Sequence, residues 1–291
     1  MNNPIIMHIN YCEQGQEITE LCRKAAAWGF DGIEFRRRRI GKKESRKEYL
    51  AALEKGVRDA GIEHVLFGYP GPLLLDPDSA TREREVEEAV AFYRHVAERF
   101  GVKTVNLLTG QLENPDKNIP YSDYTKHGSF IATEKHWDWQ VAGCRALADG
   151  LEDLDILFGF ETHMVYMHDT VEATMELVEN VDRPAIGVNL DYGNIVCLPD
   201  PPSLEQALAT VKRSLHYVHL KNSTAQPGTP GRLATALGEG DINNRHFLRL
   251  LEEIGYEGPI CLEAPRAGDR EWYAQQDLAY IRKVLAADLV N

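Results

Sequence analysis

The sequence predicts an α/β protein folded as a single (β/α)8 barrel, and three observations carry this prediction. Short runs rich in β-branched and aromatic residues alternate with longer amphipathic runs from one end of the chain to the other. Eight runs of each type occur, and strands that alternate with helices in this way imply a parallel sheet. The length of 291 residues suits one barrel domain over residues 1–291.

The predicted strands are apolar runs bounded by turn residues and polar loops. They cover residues 4–10, 32–36, 63–68, 104–108, 156–161, 185–191, 215–221 and 259–263. The predicted helices show apolar residues at helical spacing, and several end in glycine, which favours helix C-termini. They cover residues 17–29, 45–61, 81–101, 135–153, 170–180, 203–214, 244–255 and 270–289.

The alternative with the same alternation is a doubly wound open sheet. Such a sheet usually carries a glycine-rich phosphate-binding turn after its first strand. Here the first strand is followed by YCEQGQE, which is not a turn of that kind. No linker, low-complexity segment or charge block divides the chain, so the barrel is preferred.

Composition and charge exclude several functional classes. The net charge of −13 argues against a nucleic-acid partner, because such binding depends on Lys and Arg that neutralise phosphates. The five cysteines are scattered without a CxxC spacing, so neither a zinc knuckle nor a disulfide framework is predicted. The N-terminus shows no secretory signal and no run reaches membrane-spanning length. We expect a cytoplasmic protein with no membrane partner, either a monomer or a homo-oligomer.

Four consecutive predicted strands end in a residue that could bind a metal. Alternate side chains on a strand share a face, and in each of these strands the bulky apolar residues face the helices. The opposite, inward face then carries Glu161, Asp191, His219 and Glu263 at the carboxyl ends, where active sites of barrels are built.

Three carboxylates and one imidazole that converge on one point would repel one another without a cation. Oxygen and nitrogen donors suit Mn²⁺, Mg²⁺, Co²⁺ or Fe²⁺ better than a thiolate-seeking metal. We therefore expect one divalent ion, with Mn²⁺ first among these. For any single carboxylate the competing interpretation is a helix cap or a salt bridge, but four at matched positions favour a metal site.

The same parity indicates further site residues. The inward positions also hold His8, Glu34, Asn106, and His163, which lies two residues after Glu161. The competing interpretation of each is a polar residue of a lower layer, bonded to its neighbours and to buried water. Three cations are candidates for contacts with substrate oxygens: Lys221 beside His219, Arg232 in the long loop that follows, and Arg266 after the last strand.

Six segments that span nearly the whole chain form a recognisable set: GFDGIEFR, FGFETH, GVNLDYGN, HYVHLKN, LGEGDIN and GYEGPICLE. In this order they resemble the sugar isomerase/epimerase family of xylose-isomerase-like TIM barrels, which includes ketose 3-epimerases, hydroxypyruvate isomerases and inosose dehydratases.

The resemblance implies that the ligands of a divalent metal are Glu161, Asp191, His219 and Glu263. It also implies that both glutamates serve as acid/base groups and that Lys221 contacts substrate oxygens. One position departs from the family. Many members carry a histidine three residues after the metal-binding aspartate, and this chain has Asn194 there. An amide can hold a substrate hydroxyl but does not exchange a proton near neutral pH.

The predicted function is a metal-dependent isomerase or epimerase of a small sugar or related polyol, which abstracts a proton next to a carbonyl and passes through an enediolate. Three alternatives stay open. A lyase or dehydratase could act on a keto-sugar or 3-keto-glycoside, and the long segment 110–134 could cover such a bulky substrate. An abasic-site endonuclease is disfavoured by the charge, and a non-catalytic binding protein would not need paired glutamates.

Overall fold

The structure, a computed structural model, describes residues 1–39, 41–68, 71–229, 231–264 and 266–288. Within these residues a short hairpin, β8 (Ser223–Ala225) and β9 (Arg232–Ala234), lies outside the main sheet. The strands of the main sheet are β1 (Ile5–His8), β2 (Gly32–Arg36), β3 (His64–Gly68), β4 (Thr104–Leu107), β5 (Leu157–Glu161), β6 (Ile186–Asp191), β7 (Leu215–Leu220) and β10 (Ile260–Leu262).

Hydrogen bonds close these strands into a barrel in the order β1–β10–β7–β6–β5–β4–β3–β2. The predicted α/β barrel is therefore confirmed, and each of the eight predicted strands is present, shortened by up to three residues. The hairpin was not predicted, because its segment reads as a loop rich in Gly, Pro and Thr.

The eight predicted helices are present with bounds shifted by up to four residues, and a short helix over residues 192–195 was not predicted. Capping boxes mark helix starts, for example where Ser45 is bonded to Glu48 and Ser203 to Gln206. Among the described residues no helix combines the length and apolar character that a membrane span requires. The helices are α1 (Ile18–Trp28), α2 (Arg46–Ala60), α3 (Ser79–Phe100), α4 (Glu134–Asp149), α5 (Val171–Val181), α6 (Tyr192–Ile195), α7 (Leu204–Val211), α8 (Asn244–Glu253) and α9 (Arg270–Asp288).

The chain forms two compact units, and the first comprises Met1–Phe67 and Val218–Asn291. In it β1 lies between β10 and β2, all parallel, and β10 also pairs with the end of β7. The register makes His8 the neighbour of Glu34, and His219 the neighbour of Cys261. Polar groups from strands far apart in the sequence are thereby brought onto one buried face.

The second unit is Gly68–Tyr217. Here β5 lies between β4 and β6, again parallel, with Asn106 opposite Gly159 and Glu161 opposite Asn189. The outer face of β5 is buried beneath α3, where Phe158 and Tyr93 meet edge to face with ring centroids 5.2 Å apart. This packing holds β5, and with it Glu161, in place.

Gly187, in the middle of β6, provides a test of this packing. A methyl group at this position would lie 2.3 Å from the carbonyl oxygen of Ser214, a backbone atom that cannot move without breaking the sheet. We expect Gly187→Ala to lower the free energy of unfolding by about 2 kcal/mol, as overpacked cores do. Urea denaturation measures this. In the control Gly231→Ala, the nearest atom is the side-chain tip of Gln226, and the loss should be small; equal losses would contradict the account.

Candidate active site

In the first unit, the imidazole of His219 lies between two carboxylates. Its Nδ1 is 2.9 Å from Oε2 of Glu263, and its Nε2 is 2.9 Å from Oε2 of Glu34. His219 is fully buried, and the side chains of Glu34 and Glu263 are 1% and 13% exposed. Both contacts are hydrogen bonds to ionised carboxylates if both ring nitrogens carry a proton. If one nitrogen carries none, its lone pair and the facing carboxylate can together bind a cation.

Three further groups surround these carboxylates. His8 places its Nε2 3.5 Å from Oε1 of Glu34 and 3.9 Å from Oε1 of Glu263. Asn10 donates its side-chain amide to Oε1 of Glu263 at 3.1 Å, and the Lys221 ammonium lies 3.2 Å from Oε2 of the same residue. The structure therefore brings together five residues that the sequence predicts for the site: His8, Glu34, His219, Lys221 and Glu263.

The cationic and hydrogen-bonding neighbours keep both glutamates ionised. Burial alone would raise the pKa of Glu263, but the electrostatic interactions with His8 and Lys221 and the hydrogen bond with His219 hold that pKa well below its usual range. Burial would likewise raise the pKa of Glu34, and the charge and hydrogen bond of His219 lower it on balance. Two buried carboxylates in this state provide a site of negative potential for a cation.

The donor atoms of this unit fit a divalent ion. Two neighbouring ligands of a six-coordinate ion with bonds of about 2.1 Å lie about 3 Å apart, and Nδ1 of His219 lies 2.9 Å from Oε2 of Glu263. Carboxylate oxygen with imidazole nitrogen is the donor set of Mg²⁺, Mn²⁺ and related ions. The described residues thus include buried acidic and histidine groups that could hold a metal ion.

In the second unit, Glu161 is held by two side-chain amides. Asn106 donates to its Oε2 at 2.7 Å and Asn194 donates to its Oε1 at 3.0 Å. Asn189 in turn donates to Oδ1 of Asn106 at 3.0 Å. Hydrogen bonds donated to a carboxylate favour its charged form. The two predicted substrate groups, Asn106 and Asn194, therefore also fix the orientation of Glu161, which is 3% exposed.

Asp191 is fully buried at the end of β6, and the start of α6 orients it. Its Oδ1 accepts the backbone N–H of Asn194 at 3.1 Å. Its own backbone N–H donates to Oγ1 of Thr162, and that hydroxyl donates to the Asp191 carbonyl. Thr162 follows Glu161 directly, so this pair of bonds ties the ends of β5 and β6 together and fixes Glu161 and Asp191 side by side.

The segment between β4 and α4 is anchored on the loop that follows Glu161. The N–H of Leu112 bonds the carbonyl of Val165 at 2.8 Å, and that of Ser129 bonds Oδ2 of Asp169 at 3.0 Å. Gly128 has φ 60°, and a Cβ there would lie 2.0 Å from Oδ2 of Asp169, so only glycine allows this approach. His163, predicted for the site, lies in this loop with its Nδ1 2.9 Å from the carbonyl of Met164.

The two predicted arginines make structural contacts. Arg232 donates to Ser223 at 2.8 Å and forms an ion pair with Asp241 at 2.7 Å, which fastens the β8–β9 hairpin. Arg266 is paired with Asp277 at 2.9 Å. Its guanidinium also lies over the ring of Tyr273, 4.3 Å from the centroid. Their contacts with a substrate stay predictions.

Three residues of the site escaped the sequence reasoning: Asn10, Thr162 and Asn189. Asn189 has the inward parity of Asp191, and Thr162 adjoins Glu161, so the strand pattern contained a signal for both. Asn10 lies in a short 3₁₀ turn after β1, where alternation no longer applies. No pattern in the sequence marks it.

The chain is similar in sequence and in fold to proteins of a known family. The sequence matches the family described as xylose isomerase-like TIM barrel over residues 22–284. The chain belongs to this family.

Curated relatives include an uncharacterised protein of Methanocaldococcus jannaschii, 27% identical over 38% of each chain. An inosose dehydratase of Clostridium perfringens is 22% identical over 68% of this chain and 71% of its own length.

Two solved structures show the same fold. A xylose isomerase-like TIM barrel protein from Mycobacterium smegmatis, in complex with magnesium, has a TM-score of 0.75 at 21% identity and covers 98% of this chain and 97% of its own. D-Allulose 3-epimerase from Methylomonas, in complex with D-allulose, has a TM-score of 0.72 at 17% identity and covers 97% and 96%.

Asp169 provides a pH-dependent test of the anchored loop. It is 1% exposed, and burial raises its pKa to about 6, partly offset by the hydrogen bonds from Ser129. Because this folded pKa lies above the unfolded value, the folded state binds the proton more tightly, and stability falls as the pH rises from about 4 to about 6. Asp169→Asn removes this ionisation. Between pH 4 and pH 7, we expect the free energy of unfolding of the variant to rise by about 2 to 3 kcal/mol relative to that of wild type.

Urea denaturation at both pH values in the presence of EDTA measures this difference. Asp155→Asn, at a carboxylate that is 85% exposed, is the control and should follow wild type. A difference between Asp169→Asn and wild type that is the same at both pH values would contradict the assignment.

Proposed function

We propose that this chain is a divalent-metal-dependent isomerase or epimerase of a sugar or related polyol. The observation that carries the proposal is the fully buried imidazole of His219, flanked by ionised carboxylates at the spacing of metal ligands. Burying such charged groups destabilises the folded state, so their presence indicates a bound cation or a catalytic role.

The proposed metal ligands are Glu161, Asp191, His219 and Glu263. They stand at the carboxyl ends of β5, β6, β7 and β10, which are neighbours in the closed strand order. When bound, the ion would polarise a substrate carbonyl and acidify the adjacent C–H group. Mn²⁺ is our first expectation, and the magnesium-bound structure from Mycobacterium smegmatis supports a divalent ion of this class.

The two glutamates are the proposed proton carriers, and their surroundings differ. Glu161 is held through both oxygens by amides of Asn106 and Asn194, which cannot exchange protons. Glu263 is more exposed and lies beside the Lys221 ammonium. Lys221 is therefore the proposed partner of a substrate oxygen, and Glu263 the proposed carboxylate with access to solvent.

The substrate class rests on relatives. One solved structure is of an epimerase with D-allulose, which favours a small keto-sugar and isomerase or epimerase chemistry. The inosose dehydratase relative favours a second candidate, a dehydratase or other lyase on a cyclic keto-sugar or keto-glycoside. Asn194 is compatible with this candidate, in which one glutamate would take the C–H proton and the other would protonate the departing hydroxyl. The net charge of −13 disfavours the abasic-site endonuclease, because binding to DNA depends on Lys and Arg that neutralise phosphates.

The metal assignment predicts that His219→Ala loses its ion. We expect wild type to bind one Mn²⁺ per chain. The variant should bind it at least about 100-fold more weakly, because a residue that coordinates the ion directly is lost. Isothermal titration and metal analysis measure this, and a melting curve with Mn²⁺ should show stabilisation in wild type alone. The control is His95→Ala, at an exposed histidine on α3. Unchanged stoichiometry and affinity in His219→Ala would contradict the assignment.

The chemistry is tested in D₂O by NMR, with Mn²⁺ removed before the spectra are recorded. We expect deuterium to enter the carbon next to the carbonyl of one sugar in a panel of ketoses and an inosose. An epimeric or isomeric product identifies the leading proposal, and loss of water identifies the lyase. Glu161→Gln and Glu263→Gln should each lower turnover by about 100-fold or more.

Asp155→Asn is the matched control for the loss of one carboxylate. Full activity in either Gln variant would remove that glutamate from the mechanism. Turnover without deuterium in the product would contradict proton exchange with solvent.

A further inference from the structure

Glu34 is a buried carboxylate that the proposed mechanism does not use as a ligand or base. It lies in the middle of β2, is 1% exposed, and belongs to a strand that pairs with β1. Its Oε2 is 2.9 Å from Nε2 of His219 and its Oε1 is 3.5 Å from Nε2 of His8. One carboxylate thus faces the Nε2 atoms of two histidines whose rings are 5.9 Å apart.

The hydrogen bonds of His8 define where its proton lies. Its Nδ1 accepts the backbone N–H of Asn10 at 3.1 Å, so this nitrogen carries no proton. The ring proton is then on Nε2, which points toward Oε1 of Glu34. Oε1 of Glu34 thus lies 3.5 Å from the protonated nitrogen of His8, and Oε2 is the oxygen in hydrogen-bond contact with His219.

The contact with Glu34 also determines which ring nitrogen of His219 carries a proton. If Nε2 donates its proton to Glu34, the lone pair that can bind a cation is on Nδ1. Nδ1 is the atom that lies 2.9 Å from Oε2 of Glu263, a proposed metal ligand. A histidine that binds a metal with one ring nitrogen commonly donates a hydrogen bond from the other N–H group to a carboxylate. This bond fixes the tautomer and makes the ring a stronger metal ligand.

We propose that Glu34 is a positioning residue that holds His219 with Nδ1 directed to the metal, and that this contact sets the affinity for the ion. The inference rests on the proposed metal site. Glu34 itself does not bind the ion.

A competing arrangement is present in the same unit. Glu34, His219 and Cys261 each offer a ligand atom within 4.8 Å of the others. In that arrangement Glu34 would be a ligand, together with a thiolate, and the site would prefer soft metals. The two arrangements differ in the nitrogen that binds and in the presence of a sulfur ligand.

The test is Glu34→Gln. A glutamine side chain has one acceptor and one donor end, so it cannot accept from both histidines, and one contact becomes a clash of two donors. We expect Mn²⁺ to bind about 10- to 100-fold more weakly, the range seen when such outer carboxylates are removed. Isothermal titration measures the affinity. Histidine-labelled ¹⁵N spectra with Mg²⁺ report the tautomer, and wild type should show His219 protonated at Nε2.

Two further variants make the result specific. Glu34→Asp keeps the negative charge but moves the carboxylate away from His219. It should weaken Mn²⁺ binding, because the contact with Nε2 is lost. Glu13→Gln is the matched control, because Glu13 is a partly buried carboxylate of the same unit that pairs with Arg36 on β2. It should bind Mn²⁺ as wild type does. Circular dichroism with EDTA establishes that each variant is folded.

The outcomes separate the two proposals. If wild type binds Mn²⁺ and both Glu34 variants bind it with the affinity of wild type, the role of Glu34 is overturned and the proposed function is left intact. Wild type that binds no divalent ion would overturn the proposed function, and this inference with it. A thiolate charge-transfer band in the Co²⁺ protein, lost in Cys261→Ser, would show Glu34 in the competing site and also overturn the inference.

Discussion

The constraint on which the candidate site depends is that buried carboxylates must be neutralised. Glu34 and Glu263 lie on either side of His219, and each is 2.9 Å from one of its ring nitrogens. Two negative charges in a dry environment require positive charge between them, from protons on the imidazole or from a metal ion. The Lys221 ammonium adds to that charge, and in the proposed metal site an ion supplies the positive charge between the carboxylates.

Much of this arrangement could be predicted from the sequence, because a strand has a strict period of two. In GVNLD and YVHLK, apolar side chains at alternate positions leave one polar set facing inward. That rule alone places Asp191 and His219 on the inner face of a barrel. Helix bounds were equally accessible, since Ser45 with Glu48 and Gly61 mark a start and an end by local hydrogen bonding.

Partners of side chains could not be predicted, because they depend on the register between distant strands and on loop paths. Glu34 and His219 are 185 residues apart in sequence. Asn106 has the inward parity of a substrate group, yet its amide is bonded to Glu161, 55 residues away. Arg266 resembled a substrate contact in a loop after the last strand, and its charge is matched by Asp277. A sequence states which groups are available, but not which of them meet.

The most direct test of the account is a crystal structure of the protein grown with Mn²⁺, with diffraction recorded on both sides of the manganese absorption edge. The account predicts one anomalous peak, with bonds of about 2.1 to 2.3 Å to Glu161, Asp191, Nδ1 of His219 and Glu263, and with Glu34 bonded to Nε2. A peak bonded to Glu34 and Cys261, or the absence of any peak beside His219, would contradict it.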